Sequence, residues 1–461
     1  MELATSLPLG LPDLPEELLE KICRVSSVRF RDPAIDHATP CLFTARPTET
    51  DLFSLRMTCK VLHRIATPLA WRRLEIVLTA DEHPHSSERP YTDLAFLSSR
   101  HELARHIRCL GLQVSWGEKR EETREAIERL LEVTTSLRAF HITRASFLTA
   151  NSARILSSSV ELLSIGDTWF LGDYLLDGQN AQLYDFKFSH LKALKMSAFD
   201  HRRDLSCYPN IQSLILHFKN PSVTRMTDLS LPWATIRELE IVACSHSVLT
   251  DIISELKSHL RTCQKIVLHT LSINTFSMQA PYAKGIIATF KTAKLQKLSF
   301  GGLFRDQMDT EFVSFIAETF PELVKVSLMV RGFGIWRDAL DDYVSALKRL
   351  RHLKVLEWNN VDMPDEYDKQ KGSVPLAPPD KNSNELPISY YQQEIKRLAS
   401  HPSLEVVRHS SWHRFHHVCD TCYILRDKCA EYLGYDIDRS NSVKMGTVLK
   451  DWNALSSPYA V

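Results

Sequence analysis

Seven potential metal ligands crowd one stretch near the C-terminus: His409, His413, His416, His417, Cys419, Cys422 and Cys429. A thiolate pair at Cys-x-x-Cys spacing, with imidazoles close by, is the donor set of a tetrahedral zinc site. As a motif the set is incomplete, because no second clean pair closes the coordination sphere. Cys419, Cys422 and Cys429 suit equally one buried face of a terminal helix, or a redox pair. The helix is the expectation, so no metal ligand and no cofactor is assigned.

Catalytic patterns are scarce elsewhere. Gly301-Gly302 and Arg331-Gly332-Phe333-Gly334 lack the lysine or the glycine spacing of a phosphate-cradling loop. There is no serine elbow and no zincin helix. The 19 histidines are mostly isolated in loops or at strand edges. Asp341-Asp342 begins a helical run, where carboxylates suit the dipole. A protein that is not an enzyme is expected.

Composition narrows the partners. Lysine plus arginine and aspartate plus glutamate both number 56, so no general electrostatic grip on nucleic acid or on an anionic membrane is expected. No run approaches the ~20 apolar residues that span a bilayer. The opening MELATSLPLGLPDLPEE has no basic segment of the secretory kind, and the closing SSPYAV carries no prenylation box. The 10 cysteines are scattered through apolar runs, as core thiols in a reducing compartment are. Cytoplasm or nucleus is expected. Lys348-Arg349-Leu350-Arg351 reads as a helix end.

The elements that would bring a partner in begin at Leu14. Pro15 suits the first turn of a helix, and Leu14, Leu18, Leu19, Ile22 and Val25 follow at helical spacing. A second helical start falls at Thr50-Asp51. Leu52, Leu55, Leu62 and Ile65 continue the stripe until Pro68 ends it before Trp71. About 60 residues is near the lower limit for an independent core, and surplus apolar surface on so small a unit implies a partner.

This order of residues resembles the F-box: Leu14-Pro15, Glu17-Leu18-Leu19, Ile22, Asp51-Leu52, Leu55, Cys59-Lys60, Ile65 and Trp71-Arg72. The resemblance implies docking on a Skp-family adaptor and, through it, a cullin–RING ubiquitin ligase. Carried over by position, Leu14, Pro15, Leu18, Leu19, Ile22, Leu52 and Leu55 are the expected adaptor contacts. The stretch from Ser26 to Glu49 departs from the tight connection usual in that family and reads as a solvated loop.

After Arg73 one phrase recurs, with apolar residues at its first, fourth and sixth positions. Copies are Ile107-Leu110-Leu112, Leu137-Phe140-Ile142, Val160-Leu163-Ile165, Leu191-Leu194-Met196, Ile211-Leu214-Leu216 and Ile236-Leu239-Ile241. Cys263-Ile266-Leu268, Leu295-Leu298-Phe300, Leu323-Val326-Leu328 and Leu353-Leu356-Trp358 follow. Residues 72–78 and 403–409 read as outlying copies. The period is loose, between about 20 and about 32 residues, within the range of leucine-rich repeats. Alternation marks a strand with one buried face, and several of the segments between copies have helical spacing.

The region resembles the leucine-rich-repeat half of a fungal-type F-box protein, a substrate receptor. The asparagine or cysteine expected after each strand is missing at Ser115, Ala145, Thr168, Phe199 and Lys219, and present only as Cys244. The expected fold class is therefore α/β: a three-helix F-box at 11–74, then an irregular solenoid with a curved parallel sheet at 75–412. A charged, proline-rich insertion (363–386) interrupts it, and 413–461 cap its end. The open sheet face offers His141, Lys195, His217, Lys219, Glu240, His269, Arg331 and Glu357 to a target protein. Trp116, Trp169, Trp336 and Trp358 are anchor or core candidates. Two further readings stay open: a non-degradative interaction scaffold, and a metal-dependent enzyme on the C-terminal cluster.

Overall fold

Pro15 stands where its missing N–H costs nothing, and its carbonyl accepts from Leu18 and Leu19 N–H at 2.9 and 3.1 Å, which starts helix α1 (Glu16–Ser27). In the computed structural model the described residues are 14–27, 54–78, 89–114, 120–144, 147–166, 187–197, 205, 208–218, 230–244, 246–263, 266–304, 308–331, 340–358, 398, 400–413, 416–426 and 429–435. Leu52, Lys219, Trp116, Trp169, Trp336 and the insertion at 363–386 lie outside them. The chain divides into two compact units, one reaching Asp200 and taking in Ser206–Ser213, the other running from Leu214 onward and taking in His201–Leu205.

In the first unit, residues 54–56 are helical, and Thr58 Oγ1 donates to the Leu55 carbonyl at 2.6 Å. Cys59 then caps α2 (Lys60–Ala70), its sulfur accepting from Leu62 N–H. Pro68 does not end that helix as expected, because one turn remains beyond it: Trp71 N–H reaches the Thr67 carbonyl at 3.1 Å. The helical core is Leu19, Cys23, Leu62, Ala66 and Ala70, with Leu14, Leu55, Cys59, Ile65 and Leu69 packed against it. Arg64 bonds Glu16 across α1 and α2 at 2.6 Å; both side chains are exposed, so the pair adds little stability.

Strands β1 (Arg73–Leu78), β2 (Cys109–Val114), β3 (Ala139–Ile142), β4 (Leu162–Ile165) and β5 (Ala193–Ser197) pair in chain order, all parallel. Between them come α3 (Arg89–Ser99), α4 (His101–Ala104), α5 (Arg120–Val133) and α6 (Ala150–Ser159). Parallel neighbours require such crossovers.

The second unit holds β6 (Ser213–His217) from Leu214 on, then β7 (Glu238–Cys244), α7 (His246–Cys263), β8 (Thr270–Met278), α8 (Ala280–Thr289), β9 (Lys297–Phe304), α9 (Thr310–Thr319), β10 (Lys325–Arg331), α10 (Leu340–Leu347), β11 (Val355–Trp358) and β12 (Val406–His413). Strands β7 to β12 pair parallel in chain order. The α/β alternation is of the leucine-rich-repeat kind. Fourth- and sixth-position residues from Leu110 and Leu112 to Leu356 and Trp358 are buried, and the helices close that face. Phe300 of β9 meets Phe312 of α9 edge-on at 6.3 Å, and Trp358 of β11 meets Tyr343 of α10 at 6.4 Å.

What aligns the repeats is backbone. One carbonyl just before each strand accepts two successive N–H groups from the next repeat. Thus Arg72 O takes Arg108 and Cys109 at 2.8 and 3.0 Å, and Arg108 O takes Arg138 and Ala139 at 2.8 and 2.9 Å. The same fork recurs at Arg138, Glu161 and Lys192, and in the second unit at Arg237, His269, Gln296, Val324 and Lys354. Any residue can supply it, so these repeats hold register without an asparagine ladder.

Three expectations are corrected. The copy placed at Cys263-Ile266-Leu268 is really Leu268-Leu271-Ile273, since Leu271 and Ile273 lie opposite Leu239 and Ile241 and Cys263 ends α7. The terminal helix carrying Cys419, Cys422 and Cys429 is absent: β13 (His416–Arg426) pairs antiparallel with β12, and β14 (Cys429–Tyr435) with β13. Helix α1 also extends to Ser27, past the expected loop start at Ser26.

Gly302 has φ +96, and a Cβ there would sit 2.4 Å from the Thr275 carbonyl oxygen. It is the extra residue where β9 slips past β10, since Gly301 faces Met329 and Leu303 faces Val330. Gly302→Ala should therefore cost about 2 kcal/mol or more, read as a lower midpoint in denaturant melts.

Candidate functional site

Two surfaces of the fold can meet a partner. The first is on the N-terminal helices. Turning Leu19 and Cys23 inward leaves Leu14, Leu18 and Ile22 as a ridge one residue round the helix, at i, i+4 spacing. Leu18 is 47% exposed, Leu14 and Ile22 are half-buried and Pro15 is exposed. On α2, burial of Leu62 and Ala66 turns Val61 outward, 37% exposed, and leaves Ile65 half-buried. Met57, in the turn before α2, is 78% exposed. Among the described residues these are three of the four large apolar side chains left in solvent; Phe96 is the fourth.

Leu19 does not belong with the contacts. At 1% exposure it is the centre of the helical core, so the expectation that it touches an adaptor is corrected. Leu55 packs half-buried against that core. The apolar spacing does not single out Met57 or Val61, although the helical period that buries Leu62 and Ala66 places Val61 beside the stripe.

The second surface is the open sheet face. In the first unit one register row runs Glu75, Gly111, His141, Ser164 and Lys195. His141 Nδ1 lies 2.9 Å from Ser164 Oγ. Burial, and then the Lys195 ammonium beside it, push the imidazole pKa down to about 4. His141 is thus neutral at physiological pH, a hydrogen-bonding group and not a charge. Beside it Cys109, Ala139, Leu162 and Ala193 make a buried apolar strip.

This depression has a sign. The unfolded imidazole titrates near 6.5, so below that pH the unfolded chain takes up a proton that the folded chain refuses. Stability therefore falls as pH drops from about 6.5, by up to about 1.4 kcal/mol per pH unit, until the folded imidazole protonates near 4. His141→Gln should flatten that slope in urea melts between those two pH values.

In the second unit the corresponding row is Glu240, Ser272, Ser299, Ser327 and Glu357. Glu240 and His217 are half-buried on this face. Glu357 is 3% exposed, and its carboxylate lies 3.5 Å from Lys325 Nζ. It is held by its neighbours, so its place among target contacts is corrected. His269 is placed differently from the open-face expectation: it precedes β8 in the carbonyl ladder, its N–H bonded to Arg237 O at 2.8 Å, so it stands at the strand-start edge and not in the row. Arg331 ends β10. Trp358 is fully buried and is core, not anchor. The side chains of the C-terminal cysteine–histidine cluster lie outside the described residues.

No helix among the described residues is long and apolar enough to cross a membrane. No family model matches the chain, and no curated protein does. Among solved structures the chain is similar to one in the crystal structure of the Rad7 and Elc1 complex in yeast, at 14% identity and a TM-score of 0.38, over 76% of this chain and 92% of that chain.

Proposed function

We propose that this protein is a substrate receptor of a cullin–RING ubiquitin ligase of the F-box kind, with no catalytic residue of its own. The observation that carries the reading is the solvent exposure of Leu18, Met57 and Val61 on a helical unit whose own core is already filled by Leu19, Cys23, Leu62, Ala66 and Ala70. Apolar ridges that a small unit does not need for itself suit a groove on a partner. The F-box order of residues supports a Skp-family adaptor as that partner, with a cullin reached through it. The repeats then hold a target protein near the ligase, and transfer chemistry falls to the other subunits.

The test is co-expression with a Skp-family adaptor and purification through a tag on this chain. Stoichiometric co-purification is expected, and its absence overturns the reading. An adaptor-bound scaffold that delivers nothing is distinguished by proteasome inhibition. A receptor's bound partner accumulates under the inhibitor, whereas a scaffold's partners stay level.

A further inference from the structure

We propose that the strand-start edge of β1 to β5 is a docking strip for an acidic segment of the target protein, gripped by Arg105, Arg108, Arg138 and Lys192. This rests on the receptor reading above and names the class of target that the repeats take.

The carbonyl ladder carries the inference. It fixes Arg72, Arg108, Arg138, Glu161 and Lys192 at equivalent places in successive repeats, neighbours about 4.8 Å apart. Four of those five residues are cations. Like charges side by side on a sheet repel and cost stability, and the chain as a whole is balanced at 56 acids and 56 bases. The row is thus segregated charge, not a reflection of composition.

Internal pairing relieves one end of it. Glu161 bonds Arg138, and bonds Lys192 at 2.8 Å. The Lys192 hydrogen bond, ahead of Arg138, holds the Glu161 carboxyl below its ordinary pKa against the opposing effect of burial. Within the rest of the row Arg108 is exposed, and so, three residues before it in the chain, is Arg105, which caps the short helix α4. Among the described residues neither makes an ion pair. A helix dipole accounts for a cation at a C-cap such as Arg105, but not for arginines at the starts of consecutive strands.

The ligand that fits is a polypeptide carrying several carboxylates. A continuous phosphate backbone fits less well, since Glu161 stands within the row and the row contains no aromatic side chain on which a base could stack. Guanidinium groups grip carboxylates with two parallel bonds, so a flexible acidic segment can engage each arginine in turn.

The experiment uses the full chain with its adaptor and a fluorescein-labelled peptide of alternating glutamate and serine, long enough to span the row. Fluorescence anisotropy should show binding that weakens as salt rises. Arg105→Glu with Arg108→Glu should weaken it about tenfold. Arg154→Glu with Arg261→Glu, the same charge change on exposed helix positions, should alter it less than about twofold. Glu161→Gln should tighten it. Equal loss in both double variants, or no binding by the unmodified chain, overturns the proposal. So does displacement of the peptide by oligothymidylate more readily than by unlabelled peptide, which would mark a general polyanion surface. Adaptor co-purification in the same samples separates the two readings: a chain that holds adaptor but ignores the peptide loses the strip and keeps the receptor.

Discussion

Leu18→Glu combined with Val61→Glu is expected to weaken capture of a Skp-family adaptor by at least about a hundredfold while leaving the helical unit folded. Both side chains stand in solvent in the free chain, Leu18 at 47% and Val61 at 37% exposure, so a carboxylate there meets water and strains nothing. On docking, the same carboxylates would be taken into an apolar groove without a counter-ion, which is where the penalty arises. Leu19→Ala supplies the contrast. It empties a site at 1% exposure, costs about 2–5 kcal/mol in cavity and lost transfer energy, and melts the unit along with its partner binding. Calorimetric titration of adaptor and a thermal melt on each variant separate lost contact from lost fold. If the exposed pair is replaced and adaptor affinity does not change, the ridge is not the docking face.

The sequence made the repeats legible because each strand buries two residues at fixed spacing, and that pattern survives a loose period. Arg73–Leu78 and Val406–His413 are strands, as the outlying copies of the phrase at 72–78 and 403–409 imply. Where two patterns overlap, the spacing misleads. Cys263, Ile266 and Leu268 imitate a strand phrase, but α7 runs on to Cys263, and pairing with β7 decides the matter five residues later. In the C-terminal stretch the three-residue cysteine spacing suggested a helix, although Val418, Thr421, Tyr423 and Ile424 favour extended backbone and β13 results.

The candidate site was less legible than the fold, for a physical reason. Alternation says which way a side chain leaves the sheet, not what it meets there. Glu357 and His141 leave on the open side, yet Glu357 is closed in beside Lys325 and His141 leans on Ser164. The edge cations were invisible as a group, because Arg72, Arg108, Arg138 and Lys192 are far apart in sequence and only the ladder lines them up.

Trp358→Ala should be among the most damaging single changes in the second unit, costing about 4 kcal/mol. The indole is fully buried, in a strand paired with β10 on one side and β12 on the other. It meets the Tyr343 ring edge-on at 88°, and the Tyr343 hydroxyl in turn donates to the Met308 carbonyl. Removing the indole therefore loosens the α10 contact as well as the strand. Stacked repeats are stabilised by their nearest neighbours, so the damage should be local. Hydrogen exchange is expected to show amides of β10 to β12 losing protection while those of β1 to β5 keep theirs. Trp358→Phe, which keeps an aromatic edge against Tyr343, should cost much less than Ala. A rim anchor would behave the other way round: stability would be untouched, and only target capture would fall.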